Sequence, residues 1–537
     1  MVSRVFAIAA FAAAALVSLD SLAQSAMMLS SPGAESWVPC KNPGAAEPPQ
    51  PWIDVQDTGA VESALTVCVD WDVRPEDLVA TDGSDAPLVV SWACDPAVYC
   101  FSFADPAQSA VLESPALAES AEVEFTSEFP QRVWVFAFFD RDRDMKCRQG
   151  DPFAIDAVDI AGPETTLHLR VHSVADYSVL HGLHSQPLVL PWTASAELRF
   201  QVPDEALGEV TWNDAETGQF LGSQLTGPSV VHRLELGGLS PDHRYTYSTR
   251  WDSAGTGIPS TFSPWTSGEF STRPLGHEAA IRFAVIGDTM ESYAIHSQLM
   301  GEMMEHSPDF LLHAGDIIGG DNGGVLADDA MQYKGVFEAL APMLRRGAFF
   351  PARGNHDADL NHHLQAFLLP VDRSHYAVDW GPARIVVLDD SNFTVDSEQL
   401  AWLDETLAES DTTDRFVVID IHDAPMAGAG WQARYNSLVQ ILFRHRVNVV
   451  FGGHWHGYER NQQHPFTQVV TGGGGSVLQG PHWEVPNLVP MYHFCVVDVD
   501  QWLMTISVWK IGGELYDRFF IYGPGAPTAT VAWRQYR

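Results

Sequence analysis

From about residue 280 the chain alternates short apolar runs with stretches whose apolar positions recur three and four apart. IRFAVIGD, DFLLHAGD, AFFPARGNHD, RIVVLDD, RFVVIDIHD and VNVVFGGHWH have the pattern of buried strands. Between them, SYAIHSQLMGEMMEH, MQYKGVFEALAPMLRR, SEQLAWLDETLAE and WQARYNSLVQILFRH have helical periodicity. Strands alternating with helices predict an α/β region of layered α-β-β-α architecture. TQVVTGGGG, FCVVDVD, LMTISVW and YDRFFIYG follow as strands that complete a second sheet.

Upstream the helical period is absent. SALTVCVDW, PLVVSWACD, AEVEFTS, QRVWVFAFFD and TTLHLRVHS are short β-branched and aromatic runs between turn residues, which predicts a β-sandwich over 52–180. A second all-β module is expected over 186–275, where AELRFQVP, GEVTWND and VVHRLELGG alternate apolar and polar positions. STRPLGHEAA reads as the linker to the α/β domain at 280–523, and 524–537 as a C-terminal tail. The fold class is therefore multidomain, with N-terminal all-β sandwiches ahead of an α/β domain.

At the other end, MVSRVFAIAAFAAAALVSLDSLAQ joins one arginine to an apolar run and a small-x-small site. That is a signal peptide over 1–23, cleaved after Ala23, followed by a flexible lead-in at 24–51. A secreted or periplasmic protein without stable membrane insertion is expected. Export permits disulfides, and Cys94 and Cys100 are spaced to close a small loop. Cys495, remote from the other five cysteines, is expected to be a buried free thiol.

Charge removes whole classes of partner. The chain has 537 residues, with 30 Lys+Arg against 69 Asp+Glu, a formal net charge of −39. Such a surface repels nucleic acid and anionic membrane. It also repels phosphorylated substrates at long range, so phosphoryl chemistry here would need locally concentrated cations. In DRDRDMKCRQGD, Asp140, Asp142, Asp144 and Asp151 echo a calcium-binding loop. Met145 replaces the glycine that loop needs, and a solvated charged hairpin is the better reading.

The strand ends hold the chemistry. They supply Asp288 in IGDT, Asp316 in AGDI, Asn355, His356 and Asp357 in RGNHD, His422 in DIHD, and His454 and His456 in GGHWH. One Gly-Asp pair means nothing, and a lone histidine after a strand is usually structural. Five strand ends offering carboxylate, amide and imidazole form a ligand set for two metals among Fe, Mn, Zn, Ni and Co. Two such ions can activate a water as hydroxide and neutralise phosphoryl oxygens.

The order Gly-Asp, Gly-Asp, Gly-Asn-His-Asp, His, Gly-His-x-His resembles the calcineurin-like metallophosphoesterase superfamily. The trailing GYER and the preceding module, whose LGGLSPDHRYTYSTRW is similar to fibronectin type III domains, point to its purple acid phosphatase-like branch. The resemblance implies that Asp288 and His456 hold one metal, that Asp316 bridges, and that Asn355, His422 and His454 hold the other. It implies that His356 contacts phosphate or protonates the leaving group, with Asp357 orienting it, and that Glu459 and Arg460 are structural.

The implied function is an exported dinuclear-metal phosphoesterase, acid phosphatase-like, hydrolysing small phosphomonoesters by attack of a metal-activated hydroxide. A phosphodiesterase of the same fold and an inactive metal-binding surface protein are the alternatives. Purple members place a tyrosine where Gly319 stands, and other members a histidine at Met290. The first metal thus lacks a usual ligand, unless Asp321, Asn322 or water supplies one.

Overall fold

The computed structural model describes residues 61–73, 78–93, 109–112, 120–129, 132–143, 151–160, 163–172 and 187–523, apart from short gaps in the last span at 253–254, 256, 258–261, 291, 321–325, 358, 372, 414, 428–429, 432 and 463–464. The signal-peptide and lead-in expectations, Cys94, Cys100, Asp144, Asp321, Asn322 and the tail lie outside them. Among the described residues, most of the regular structure is β-strand, arranged in several sheets. No helix among them is long and apolar enough to cross a membrane.

Seven strands form the first sheet, in the order Ser109–Leu112, Leu88–Ala93, Arg132–Phe139, Phe153–Asp159, Glu164–His172, Val61–Asp72, Ser120–Phe129. Among the described residues, Phe153 and His172 are the one ladder pair joining its two halves. The halves therefore fold toward each other, and Leu65, Val67, Leu167, Leu169, Val133, Val135 and Ala137 share a buried core. Side chains alternate along a strand, so Trp134, Phe136 and Phe138 lie on the opposite face. They do not meet water. They join the same core as the α/β region, where Trp134 meets Tyr293 edge-on at 6.2 Å. Lys334 is buried at this contact and pairs with Asp156.

The next sheet runs Phe220–Gly237, Ser195–Asp214, Arg244–Asp252, Thr266–Ser271, with Leu188–Pro191 beside Ser195–Asp214. Its tyrosines are buried. The Tyr245 hydroxyl accepts from the Ser240 N–H at 2.7 Å, and the Tyr247 hydroxyl donates to the Arg345 carbonyl at 3.1 Å. Arg199, also buried, donates to the carbonyls of Gln365, Ala366 and Phe367, the C-terminal end of the helix Leu360–Ala366. Cations favour that end of a helix, where carbonyls lack intrahelical partners.

Two six-stranded sheets and a two-stranded ribbon, Met426–Ala427 with Gly430–Trp431, make up the rest of the described strands. Ala348–Pro351, Phe310–His313 and Ile281–Ile286 are parallel neighbours in one, followed by His493–Val499, Leu503–Lys510 and Glu514–Tyr522. In the other, Ala383–Val387, Phe416–Asp423, Val449–Gly453 and Thr467–Thr471 run parallel between the edge strands Tyr376–Trp380 and Tyr458–Asn461. Alternation assigns the faces of Phe416–Asp423. Val417, Ile419 and Ile421 pack under the helices Ser397–Ser410 and Asn436–Arg444. Val418 points into the core shared with the first six-stranded sheet. His422, four residues on, lies on that same inner face. Cys495 is a buried free thiol, as its position in an apolar strand implied.

Candidate metal centre

Each expected residue stands where an apolar strand ends. Asp288, Asp316 and Asn355 follow the three parallel strands of one sheet, while His422, His454 and His456 come from two parallel strands of the other. Ligands commonly sit outside the carboxyl ends of such strands. Three of these residues have left-handed backbone: Asp288 at φ 56°, Asp316 at 51° and His454 at 66°. Non-glycine residues rarely adopt it, and such strain gathers at functional sites.

Glycines make the approach possible. A Cβ at Gly453 would lie 2.2 Å from Asp288 Oδ2, and one at Gly354 would lie 2.2 Å from Asp316 Oδ1. Gly453 and Gly354 are thus required because carboxylates occupy the space a side chain would need.

The acceptor atoms converge. His422 Nε2 lies 3.0 Å from Asn355 Oδ1 and 3.2 Å from Asp316 Oδ2. His454 Nδ1 is 3.1 Å from the same Asn355 oxygen, and ligand atoms of Asp316, His422 and His454 all fall within 4.8 Å of one another. His456 Nε2 is 3.5 Å from Asp288 Oδ1, and the His454 N–H donates to both Asp288 oxygens at 3.0 Å. His356 Nε2 is 3.9 Å from Asp316 Oδ2, and its N–H donates to Asp316 Oδ1 at 2.9 Å.

The far ring nitrogens fix the tautomers. His422 Nδ1 is 2.8 Å from the Ala314 carbonyl, and His456 Nδ1 is 2.8 Å from the Val477 carbonyl. A carbonyl only accepts, so each Nδ1 carries hydrogen and each Nε2 turns toward the cluster, the usual support of a metal-bound imidazole.

Electrostatics fit a cation. Burial pushes the Asp288 carboxyl well above its ordinary range, Asp316 adds to this, and His422 opposes it. Burial draws His454 down to about 4, helped by His422, leaving a neutral imidazole. Burial also opposes charge on His422, but Asp316 and Asp288 outweigh it and hold the ring well above its usual range. Two buried carboxyl groups, an amide oxygen and imidazoles facing one another are a donor set for hard and borderline divalent metals.

The Asp357 carboxylate accepts from the N–H groups of Ile317, Ile318 and Gly354 at 3.0, 3.2 and 2.9 Å. It ties the Asp316 loop to the Asn355 loop. Glu459 and Arg460 match the structural reading: Glu459 accepts from Asn487, and Arg460 pairs with Asp517 at 3.4 Å. Gly319, where a tyrosine was absent, donates its N–H to Gln332 Oε1 at 2.6 Å. Of the four calcium candidates, Asp140 and Asp151 are buried and Asp142 is exposed.

Two supports escaped the sequence reading. Asp390 receives the N–H groups of His422 and Asp423, at 3.1 and 3.0 Å, and the Tyr435 hydroxyl at 2.7 Å. Its signal was present in RIVVLDD, another apolar strand ending in acid. The glycine run after Thr471 encloses Asp288: the Ser476 N–H donates to the Asp288 carbonyl at 3.0 Å, and a Cβ at Gly472 would lie 2.7 Å from Asp288 Oδ2.

Comparison with known proteins agrees with this geometry. Residues 281–458 match the family model for calcineurin-like phosphoesterase. Purple acid phosphatase 23 of Arabidopsis thaliana is 24% identical over 304 residues, 46% of this chain and 63% of that protein. Purple acid phosphatase 22 of the same plant is 25% identical over 254 residues, 43% of this chain and 53% of that protein. The chain thus spans less than two thirds of either relative. In fold, a purple acid phosphatase from yellow lupin seeds superposes with a TM-score of 0.54 at 13% identity, covering 86% of this chain and 96% of that one. Residues 281–458 therefore resemble calcineurin-like phosphoesterases, and the chain is similar to purple acid phosphatases in sequence over less than half of its length and in fold over most of it.

Proposed function

We propose that this protein is an exported phosphoesterase that holds two metal ions and hydrolyses small phosphomonoesters. One observation carries the reading: acceptor atoms of Asp316, Asn355, His422 and His454 converge within hydrogen-bonding distances, with Asp288 and His456 beside them. Asn355, His422 and His454 would hold one metal, Asp288 and His456 the other, and Asp316 would serve both. A bound metal pair lowers the pKa of coordinated water and neutralises phosphoryl oxygens.

The chain's own groups do the rest. His356, a quarter exposed beside Asp316, would hydrogen-bond a substrate phosphate and give a proton to the leaving oxygen. Asp357 holds the loop bearing it against the Asp316 loop. Arg353 braces the same loop, donating from Nε to the Asp357 carbonyl at 2.8 Å and from a terminal nitrogen to Ser391 Oγ at 2.8 Å. With a net charge of −39 around it, the cation pair would be the local attraction for a phosphate.

The signal-peptide pattern supports export. The two six-stranded sheets with their helices support the α-β-β-α layering, and the sheet over 188–271 supports a fibronectin type III-like module. The test is turnover of monoesters and diesters with Mn, Zn, Fe or Ni supplied, by wild type and Asp316→Asn. Monoester hydrolysis lost in the variant is expected. Faster diester turnover would assign a phosphodiesterase, and full activity of the variant would end the proposal.

A further inference from the structure

Three imidazoles at the metal centre are held in two different ways. Backbone carbonyls fix the Nδ1 atoms of His422 and His456. His454 turns its Nδ1 toward Asn355 Oδ1 at 3.1 Å, and among the described residues its Nε2 has no hydrogen-bond partner. Rings hold it instead. Phe393, His422 and Trp455 meet it edge-on at 5.2, 5.3 and 5.3 Å, with planes 70°, 79° and 77° apart. His422 is itself a candidate ligand and Trp455 is the next residue in the chain, so Phe393 is the contact brought in from elsewhere.

Phe393 stands there in an unfavourable conformation. Its φ is 56°, in the left-handed region where Cβ crowds the following carbonyl and bulky residues are rare. Its surroundings impose that conformation. The Phe393 N–H donates to the Asp390 carbonyl at 2.5 Å, and the Asp390 carboxylate receives the N–H groups of His422 and Asp423. Val395, two residues on, packs against the core under the helices Ser397–Ser410 and Asn436–Arg444. The Arg434 guanidinium lies 5.3 Å from the centre of the Phe393 ring and is itself paired with the buried Asp423. Strain of this kind persists where neighbours over-determine it, and it gathers at functional sites.

We propose that Phe393 is the positioning residue of His454, its strained backbone retained because its ring sets the direction of an imidazole that no hydrogen bond steers at the far nitrogen. The inference rests on the two-metal reading above, in which His454 shares one ion with Asn355 and His422. A ligand already held in its bound orientation loses less freedom when the ion arrives. Without the Phe393 ring, that ordering falls to the metal itself.

The test titrates the metal-free full chain and its variants Phe393→Ala, Phe393→Gly and Phe393→Tyr with Mn by calorimetry, and unfolds each without metal in denaturant. Phe393→Ala and Phe393→Gly are expected to weaken one of the two sites about tenfold or more, while Phe393→Tyr, which keeps the ring, binds as the wild type does. Metal-free stability separates the first two, because glycine adopts a positive φ without strain and alanine does not. Phe393→Gly should therefore be the more stable of the pair. Equal loss of affinity in two variants of unequal stability assigns the effect to the ring. Affinity that follows stability, or wild-type affinity in both, overturns the proposal. Equal stability of the pair overturns the role given to the strained backbone. A wild type that binds no Mn defeats the two-metal reading, and this inference with it.

Discussion

His422 Nε2 lies 3.0 Å from Oδ1 of Asn355, although the two are 67 residues apart and come from different sheets. The contact joins the open ends of the two sheets, so the centre exists only when both are in register. Asn355→Leu removes the oxygen that both His422 and His454 face. It is expected to lose one metal equivalent on dialysis while the fold is kept, as metal analysis beside circular dichroism will show. Full retention of metal would contradict the assignment.

Gly453→Ala tests the same centre through the backbone. Its Cβ would lie 2.2 Å from Asp288 Oδ2, so the carboxylate must move. Groups that only orient a ligand typically change metal affinity about 10- to 100-fold. A fall of that size in metal titration is expected, and unchanged affinity would mean Asp288 is not a ligand.

Colour is a further readout. Gly319 stands where purple members carry tyrosine, and its N–H is bonded to Gln332. The metal-loaded protein should therefore show no intense visible band, and its first metal should leave on mild chelation. A purple solution would contradict this.

The Arg199 guanidinium joins the sheet over 188–271 to the carbonyls ending the helix Leu360–Ala366. Burial draws it down to about 9, a measure of how far it is removed from water. Arg199→Met strands those carbonyls and should cost about 2–4 kcal/mol, since each buried group left without its partner costs about 1–3 kcal/mol. Denaturant unfolding measures it, and a loss below about 0.5 kcal/mol would place Arg199 outside the structural joint.

His445 supplies a pH test away from the metal centre. Burial opposes its charge, but hydrogen bonds to Asp404 at 2.8 Å and Asp411 at 2.7 Å outweigh this and raise its pKa. A raised folded-state pKa means the ring stabilises fully below its unfolded value of about 6.5, and the gain disappears as pH rises through the folded value. His445→Gln should therefore be more destabilised near about pH 5.5 than above about pH 8.5. A deficit independent of pH would contradict the charged pair.

Much of this was readable in the sequence, for a physical reason. A carboxylate or imidazole just after glycine at the end of an apolar strand has few places to point, and Asp288, Asp316 and His454 stand so, while Asn355, His422 and His456 were expected from the order of the strand ends. Side chains serving other loops leave no such mark. Asp357 ties two loops through backbone N–H groups, a task nothing in RGNHD distinguishes from orienting His356. The clamp made by Arg199 depends on a helix end 166 to 168 residues away. RVWVFAFF did carry a signal that its own strand is buried on both faces, because both of its alternating sets are apolar. Only packing could say that the second face meets the α/β region.

Metal stoichiometry tests the central claim most directly. Protein loaded with Mn and freed of excess is expected to hold two equivalents, the less tightly held of which is lost in His456→Ala and the tighter in His422→Ala. A single equivalent in the wild type, or two in either variant, would contradict a centre built from these strand ends.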